Sequence, residues 1–397
     1  MYKIHDDFTP HRNVDSAELR KIINSRILDT SRFDRPVIIK SAALILCGKD
    51  WFLRVRGNDC EGIAPCSGNA EFFYPILRNK ILPFLLGRDA RNLEDLFFEA
   101  FVSDLNYKIQ GLAWWCCIAW AESAILDMLA RRANVPVTDL LGGRKRDEIE
   151  LYVASGNRHT TPEEEVRILE ERVSELGVKA IKFKIGGRMS NNADSMKGRS
   201  EGLLCLARKH FGDQMIILAD GNGSYDAEKA IEIGRIIESV NGYFYEEPCP
   251  FDDLWDLKET SDALDIPLAF GEQETSLRRF AWIIEHDAAQ ILQPDLQYCG
   301  GFIQCIKIAR MAALAGKPVT PHVSGSWPAY NLLPFCSVID NPGHFHEYKN
   351  YRGVEDHASC SLSVKNGRIK IPCGAGLGLD LGFVNDPGNT VVFDEGI

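Results

Sequence analysis

Seven short apolar segments, each ending in a polar residue beside a turn signal, constrain the fold of this chain. The segments are AIKFKIG, IILADGN, YFYEEP, LAFGEQ, QILQPD, PVTPHVS and HFHEY, and their polar ends are Lys182 with Lys184, Asp220 with Asn222, Glu246, Glu272, Asp295, His322 and Glu347. Successive ends are separated by 38, 26, 26, 23, 27 and 25 residues. Two parallel strands joined by a crossover helix need about 30 residues, so this spacing predicts repeated strand–helix units.

Helical patterns fill the intervals between these segments. Apolar residues recur three and four positions apart in AEKAIEIGRIIESV, SLRRFAWIIEHD and GFIQCIKIARMAALAG. A further strand at residues 151–155 (LYVAS) brings the strand count to eight. We therefore predict an α/β protein with a (β/α)8-type, TIM-like barrel, in which the carboxyl ends of the strands carry the chemistry.

The remaining sequence predicts a second unit. A chain of 397 residues is long enough for two domains. Residues 1–145 contain strand patterns, including NSRILD, and then a helical region that reaches Arg132, an order typical of an α+β module. We expect the barrel over residues 146–358 and a carboxyl-terminal segment, 359–397, that returns to the first module.

Composition and charge narrow the classes of function. A net charge of −11 argues against nucleic acid or an anionic membrane as a partner, because phosphate groups require a basic surface. The sequence shows no apolar run of about 18 residues and no apolar secretory core at its amino terminus, so we expect a cytoplasmic location. The twelve cysteines lack zinc-ligand spacing and are predicted to be buried free thiols.

Three successive strand ends carry carboxylates, those of Asp220, Glu246 and Glu272. Converging carboxylates repel one another unless a cation neutralises them. Ligands that are all oxygen favour a hard divalent ion, and Mg²⁺ is the usual occupant of a site left open for a substrate. The alternative is that each carboxylate caps the helix that follows it, which explains one strand end more easily than three.

Two further strand ends carry groups that can transfer protons. Lys182 and Lys184 share one face of their strand, and a nearby divalent cation would lower the pKa of Lys184 and make it a general base. His322 would stand across the barrel mouth, with Asp295 fixing its tautomer and orientation. A histidine after a proline is more often structural, but the pairing with Asp295 favours a second acid/base.

Acid/base groups on opposite faces of a metal-bound substrate suit removal of a proton next to a carboxylate, since Mg²⁺ stabilises the resulting enediolate. Lys182 and a protonated Glu347 would hold the substrate carboxylate, and Asn222 is a further candidate for substrate binding. A glycoside hydrolase uses two carboxylates, which leaves both lysines and Glu272 unexplained. A non-catalytic binding barrel would have little reason to keep both bases.

Taken in order, these motifs resemble the mandelate racemase subgroup of the enolase superfamily. The resemblance rests on Lys182-x-Lys184, Asp220-x-Asn222, Glu246-Glu247-Pro248, Gly271-Glu272-Gln273, Asp295 and His322, with AESAILD at 121–127 and LGG at 141–143 in the first module. It implies a capping domain before the barrel, Mg²⁺ on Asp220, Glu246 and Glu272, and Lys184 opposite His322 with Asp295. It also implies Glu347 as an acid near the enediolate, and a dimer or larger homo-oligomer. Catalysis by a lysine or histidine base with Mg²⁺ is the established pattern of enolase-superfamily sites.

Within that subgroup the resemblance favours dehydration of a small carboxylate substrate, a sugar acid, to a 2-keto-3-deoxy acid. A racemase or epimerase on the same site is the alternative. The sixth predicted strand, counting residues 151–155 as the first, ends in Asp295-Leu296-Gln297, without the lysine of the muconate-cycloisomerising branch, which disfavours that chemistry. Two loops stay open in role: residues 24–35, with Arg26, Arg32 and Arg35, and residues 186–202, whose Arg188 could reach the barrel mouth or lie on the surface.

Overall fold

The amino-terminal part of the chain folds as an antiparallel meander followed by helices. A computed structural model describes residues 12–325, 327, 329–349 and 357–397. The strands are β1 (Ser41–Cys47), β2 (Asp50–Arg56) and β3 (Glu61–Cys66), and the helices are α1 (Ser16–Ile23), α2 (Ala70–Ile76), α3 (Leu82–Leu85), α4 (Leu93–Val102) and α5 (Leu112–Arg132). Each strand contains consecutive buried residues, and because alternate residues point to opposite faces, both faces of this sheet are covered.

The predicted strand NSRILD is wrong. Residues 24–29 have no regular structure, because the backbone N–H groups of Ile27 and Leu28 donate to Glu94 Oε1 (2.9 and 3.1 Å) instead of to a neighbouring strand. In the same loop Arg26 pairs with Asp95, at an exposed position. The side chain of Glu94 therefore holds the loop to α4. Strand propensity, which is a local property of the sequence, cannot predict this contact.

Parallel strands and helices alternate through the next part of the chain. The strands are β4 (Glu148–Ala154), β5 (Ala180–Lys184), β6 (Ile216–Asp220), β7 (Tyr245–Glu246), β8 (Leu268–Phe270), β9 (Ile291–Leu292) and β10 (His346–Tyr348). The helices are α6 (Pro162–Leu176), α7 (Arg199–Phe211), α8 (Ala227–Ser239), α9 (Leu254–Ala263), α10 (Leu277–Glu285), α11 (Phe302–Leu314) and α12 (Ala329–Val338). The strand order is β10-β4-β5-β6-β7-β8-β9, and the neighbours are parallel.

This curled sheet confirms the predicted α/β barrel with an amino-terminal α+β capping domain. The predicted seventh strand is reduced to single parallel bridges, from Val319 to Leu292 and from Val319 to Pro342. Inside the sheet Tyr152, Ala180, Leu218 and Phe345 form a small apolar cluster below the mouth. Alternate residues of a strand share a face. Because Ala180 points into the barrel, Lys182 and Lys184 also point into it, two and four residues closer to the mouth.

The carboxyl-terminal residues contact both units. Strand β11 (Arg368–Lys370) pairs antiparallel with β4, and strand β12 (Thr390–Gly396) pairs antiparallel with β1. The boundaries placed at residues 145 and 358 stay predictions, and the second lies beside residues 350–356, which are outside the described part of the chain. The amino-terminal residues 1–11, on which the expectation of no secretory core depends, are also outside it.

Helix α5 joins the two units. With 21 residues it is long enough, and apolar enough, to cross a membrane, but 83% of its most apolar stretch is buried inside the protein, which is the pattern of a core helix. Glu122 on this helix accepts from the backbone N–H groups of Phe302 and Ile303 (3.2 Å for Ile303) at the start of α11. A Cβ at residue 301 would lie 1.9 Å from Glu122 Oε2, so only Gly301 permits this contact between the capping domain and the barrel.

Candidate active site

Three carboxylates meet at the carboxyl ends of neighbouring strands. Asp220 ends β6, Glu246 ends β7, and Glu272 lies two residues beyond β8. Their ligand atoms lie within 4.8 Å of one another, and all three side chains are buried. In the described residues this is the only group of three or more His, Cys, Asp or Glu side chains close enough to hold a metal ion.

The alternative role of these carboxylates as helix caps is wrong. The side chains that cap the helices after these strands are Asp226 for α8, Asp253 for α9 and Ser276 for α10. Each cap lies four to seven residues beyond the strand-end carboxylate, so the carboxylates remain free for other contacts. A capping requirement therefore cannot account for an acidic residue at the end of each strand.

Both lysines of β5 pair with these carboxylates. Lys182 Nζ lies 2.9 and 2.7 Å from the two oxygens of Glu246 and 3.7 Å from Asp220 Oδ2. Lys184 Nζ donates to Asp220 Oδ2 and, at 3.2 Å, to Asn222 Oδ1. Burial alone would lower the pKa of Lys182, but the charge of Glu246 raises this pKa well above the ordinary lysine value. Two ammonium groups thus substitute for part of the positive charge that three carboxylates require.

The pKa values of the carboxylates show that this compensation is incomplete. Burial raises the pKa of Asp220, but Lys184 and Lys182 outweigh it and hold the pKa below its ordinary value. Burial and the charge of Asp220 raise the pKa of Glu246 to about 7, although Lys182 opposes the rise. Glu272 Oε2 accepts no hydrogen bond from the described residues. A divalent cation among these oxygens would supply the missing charge.

An imidazole stands on another side of the mouth. His322 Nδ1 lies 2.7 Å from Asp295 Oδ2, and because an ionised carboxylate only accepts, Nδ1 is the donor. His322 Nε2 then faces Glu272 Oε2 at 3.4 Å. Burial lowers the pKa of His322, but the charge of Glu272 and the contact with Asp295 raise it to about 8. The structure therefore brings His322 and Asp295 together with the carboxylate cluster.

Glu347 differs from its expected protonation state. It is buried at the centre of β10, and burial raises its pKa, but the charges of Lys182, Lys349 and His322 lower the pKa to about 2. The expectation of a protonated Glu347 is therefore wrong for this arrangement, since three cations face a single carboxylate. Its Oε2 accepts no hydrogen bond from the described residues.

Sequence reasoning missed three buried residues that touch the site. Gln293 donates to Glu246 Oε2 (3.0 Å), Ser324 donates to Asp295 Oδ1 (3.0 Å), and Arg158 donates to Asn222 Oδ1 (2.6 Å). The signal for Gln293 and Ser324 was available, because each stands two residues from a predicted site residue and so shares its side of an extended segment. Arg158 lies four residues beyond β4, outside any strand pattern.

The loop at residues 186–202 reaches the site. Arg188 Nη2 lies 3.4 Å from Asn222 Oδ1, although Arg188 is an exposed residue. In contrast, Arg32 of the loop at 24–35 faces Asp139 at 3.4 Å at an exposed position. Of the two loops left open by the sequence, the one after β5 therefore contacts a site residue through Arg188.

A cleft of about 850 Å³ lies elsewhere, between α4 and α5 of the capping domain and α10 and α11 of the barrel. Phe97, Trp115 and Gln304 are among the residues that line it. In the described residues no cluster of metal-ligating side chains lies in this cleft. The chemistry is therefore assigned to the barrel mouth.

Comparison with known proteins identifies the family of the chain. Residues 164–383 match the family described as enolase C-terminal domain-like, and residues 52–142 match the mandelate racemase/muconate lactonizing enzyme N-terminal domain. The chain is 31% identical over 304 residues to arabinonate dehydratase of Saccharolobus solfataricus, covering 75% of this chain and 79% of that protein. It is 32% identical over 302 residues to L-talarate/galactarate dehydratase of Salmonella typhimurium, covering 75% and 71%.

Solved structures share the fold. A Roseobacter denitrificans protein has a TM-score of 0.82 at 26% identity and covers 91% of this chain and 100% of its own. A mandelate racemase/muconate lactonizing protein from Paracoccus denitrificans, complexed with magnesium, has a TM-score of 0.80 at 21% identity and covers 90% and 99%. With two matched domains and relatives above 30% identity over three quarters of its length, this chain belongs to the mandelate racemase/muconate lactonizing enzyme family of the enolase superfamily.

Proposed function

We propose that the protein is a Mg²⁺-dependent hydro-lyase that dehydrates a sugar acid to a 2-keto-3-deoxy acid. The observation that carries the proposal is the meeting of Asp220, Glu246 and Glu272 within 4.8 Å, between Lys184 and the His322–Asp295 pair. The relatives named arabinonate dehydratase and L-talarate/galactarate dehydratase support this class of reaction and a small carboxylate substrate.

Asp220, Glu246 and Glu272 are the proposed magnesium ligands. All three present oxygen, the ligand type that Mg²⁺ prefers, and all are buried. The oxygen of Glu272 without a hydrogen bond supports the same assignment, because buried polar atoms normally have partners. When bound, Mg²⁺ supplies the positive charge that stabilises negative charge developing on the substrate carboxylate.

Lys184 is the proposed base. In the structure it donates to Asp220 and Asn222, so it is held at the mouth on the side of β5. A neutral amine at this position would take the proton from the carbon next to the substrate carboxylate, leaving an enediolate. Asn222, fixed by its own backbone N–H to Asp220 Oδ1 (2.9 Å), is the proposed substrate-binding amide beside the base.

His322 is the proposed acid. Asp295 holds the ring through Nδ1, which leaves Nε2 facing the mouth. As the enediolate collapses, the bond from the β-carbon to its hydroxyl breaks, and the hydroxyl leaves as water with a proton from Nε2. The enol that remains then takes a proton from solvent at the former β-carbon, releases its hydroxyl proton, and becomes the 2-keto acid.

Lys182 is proposed to bind the substrate carboxylate, with Glu347 as its neighbour. Lys182 carries donors for carboxylate oxygens, whereas an ionised Glu347 accepts hydrogen bonds only. Glu347 is therefore better suited to hold Lys182 or to accept a hydrogen bond from a substrate hydroxyl. The charge of Glu347 helps to raise the pKa of Lys182.

Association of copies into a homo-oligomer stays a prediction.

The test is turnover of sugar acids by Mg²⁺-loaded protein, with 2-keto acid as the product measured. We expect Lys184→Ala and His322→Asn each to lower kcat by roughly 10²–10⁴-fold, the usual contribution of a general acid or base. Lys258→Ala, at a surface lysine paired with Asp262, is the control and should keep full activity.

A second measurement separates the half-reactions. In D₂O the intact protein should exchange the substrate α-proton, and Lys184→Ala should not. An epimerised acid in place of the 2-keto product would favour the racemase alternative. Normal turnover by both site variants would contradict the proposed roles.

A further inference from the structure

One amide oxygen at the barrel mouth receives hydrogen bonds from three cationic side chains. Asn222 Oδ1 accepts from Arg158 Nη2 at 2.6 Å, from Lys184 Nζ at 3.2 Å and from Arg188 Nη2 at 3.4 Å. Asn222 Nδ2 points the other way, toward Glu272 Oε1 at 3.4 Å, which fixes the orientation of the amide. A neutral oxygen is therefore the shared acceptor of three positive charges.

The two arginines lack the carboxylate partners that the lysines have. Lys182 pairs with Glu246 and Lys184 pairs with Asp220. Between the described residues, no ion pair within 4.0 Å forms at either Arg158 or Arg188. Arg199, another buried arginine nearby, has Glu165 at 3.9 Å and donates to three backbone carbonyls. Arg199 thus has a carboxylate and three carbonyls as acceptors, a set that neither Arg158 nor Arg188 has.

Burial makes this costly for Arg158. Its exposed fraction is 9%, and its other hydrogen bond is to the Ile185 carbonyl at 3.4 Å. A guanidinium remains charged under all ordinary conditions, and a buried charge without a partner is strongly destabilising. Folding nevertheless holds this charge at the mouth, buried in the loop that follows β4. Such a position is expected for a group whose partner arrives with a ligand.

We propose that Arg158, assisted by Arg188, binds the second carboxylate of a diacid sugar, the one at the end of the carbon chain away from the abstracted proton. This inference rests on the proposed function, because it places the first carboxylate at the magnesium ligands and Lys182. Arg158 Nη2 and Lys184 Nζ share Asn222 Oδ1, so these nitrogens lie no farther apart than the sum of 2.6 and 3.2 Å. A second carboxylate at Arg158 is therefore within the length of a short carbon chain from the base.

The planar fork of arginine matches a carboxylate, which it binds through two parallel hydrogen bonds. A monoacid that ends in a neutral hydroxymethyl group would leave the buried Arg158 charge uncompensated, and sites built around a polar partner reject analogues that lack it. The relatives do not decide this point, because arabinonate is a monoacid whereas L-talarate and galactarate are diacids.

The test compares pairs of substrates that differ only at the end of the chain, such as galactarate with galactonate and glucarate with gluconate. We expect kcat/KM to favour the diacid by about 100-fold, the scale of discrimination by a charged pair. Arg158→Met should lower the ratio of kcat/KM for diacid over monoacid by a similar factor, mostly through KM. Arg158→Lys, which keeps the charge but loses the fork, should restore part of the ratio.

Arg172→Met is the matched control. Arg172 is a partly buried arginine that donates to the Ala154 carbonyl at the end of β4 (3.3 Å), and its removal should leave the diacid preference unchanged. An equal fall in kcat/KM for both substrates in Arg158→Met would show a structural role and overturn the proposal. So would a wild-type enzyme that prefers the monoacid or does not discriminate.

A binding measurement keeps this proposal separate from the proposed function. Calorimetric titration of the intact protein with diacid and monoacid, with and without Mg²⁺, reports the second carboxylate even if neither is dehydrated. Tighter diacid binding that is lost in Arg158→Met, without turnover, would support the anion site while contradicting the dehydratase. Equal affinity for diacid and monoacid would overturn the anion site, and tighter binding of an aldonic acid phosphate than of the diacid would show that the site serves phosphate.

Discussion

Buried carboxylates in two regions of this protein differ in whether the chain supplies their hydrogen-bond donors. Asp127, on α5, accepts from the Ile63 N–H (2.9 Å), the Leu377 N–H (2.8 Å) and Arg131 Nε (2.7 Å), so both its oxygens have donors from the chain. At the barrel mouth, oxygens of Glu272 and Glu347 accept no hydrogen bond from the described residues. All three carboxylates are buried, so the difference lies in whether the fold supplies hydrogen-bond donors to them.

That difference separates a structural joint from a ligand site. Asp127 ties together β3, α5 and the carboxyl-terminal segment, and its demand for donors is met on folding. The mouth carboxylates instead face one another and the lysines, a repulsion that the fold tolerates only if a ligand relieves it. Substitutions in the two regions should therefore affect different properties of the protein.

The largest expected effect is loss of activity without loss of stability. Glu272→Gln keeps the shape of the side chain but removes one negative charge, so kcat/KM should fall by about 10³-fold or more as several kcal/mol of charge stabilisation are lost. The melting temperature without Mg²⁺ should stay the same or rise, because one repelling charge has gone. Initial rates of 2-keto acid formation and thermal unfolding measure the two effects, and a lower melting temperature with normal rates would reverse the assignment.

The opposite result is expected at the joint. In Asp127→Asn an amide NH₂ group, which is a donor, replaces one of the two oxygens that accept hydrogen bonds in the wild type. Breaking a buried charged network in this way typically costs about 3 kcal/mol. We expect the free energy of unfolding to fall by that amount in a denaturant titration. At a temperature where the variant is folded, its kcat should match the wild type. A Glu272-like loss of kcat in this variant would erase the distinction between the two regions.

The sequence predicted the carboxylates at the barrel mouth, but it did not predict the contacts of Asp127. Asp220, Glu246 and Glu272 follow apolar strands at regular spacing, and parallel strands bring their carboxyl ends together whatever the details of packing. Asp127 lies inside an apolar helix, and its partners Ile63 and Leu377 come from distant parts of the chain. The local sequence pattern holds no information about such a contact, because the contact depends on how α5 packs between the amino-terminal sheet and the carboxyl-terminal segment.

The same reasoning explains the errors. The strand predicted at NSRILD failed because Glu94 captures the backbone donors of Ile27 and Leu28. The protonated Glu347 failed because its charge is set by Lys349 as well as by Lys182 and His322, and Lys349 was not recognised as a neighbour. Both failures come from side chains that reach a segment from outside it.

Metal binding provides a smaller and more selective effect. A ligand at 100 times its Kd stabilises the folded state by about 2.7 kcal/mol. Mg²⁺ should therefore stabilise the wild type and Asp127→Asn by a similar amount, and Glu272→Gln by much less, in parallel unfolding titrations with and without the ion. Equal stabilisation of all three proteins would place the ion away from the barrel mouth.

The smallest expected effect is a pH dependence of stability that comes from His346, a buried histidine outside the two regions compared above. His346 on β10 is buried against Cys336 Sγ (3.5 Å), and burial, with Arg146 and His344 nearby, lowers its pKa from 6.5 to about 3. Below pH 6.5 the unfolded chain binds a proton at this histidine that the folded chain does not bind until about pH 3. The contribution of His346 to stability is therefore full above pH 6.5 and is lost progressively as the pH falls.

Between pH 7 and pH 5 this histidine should account for about 2 kcal/mol of lost stability. His346→Leu should reduce the pH dependence of the unfolding free energy by that amount, whereas His210→Leu, at an exposed position beside Glu170, should not. Denaturant titrations of the three proteins at pH 7, 6 and 5 measure the difference. An unchanged slope in His346→Leu would mean that the folded chain protonates this buried imidazole, and burial without an ionic partner would then no longer imply a neutral group in this fold.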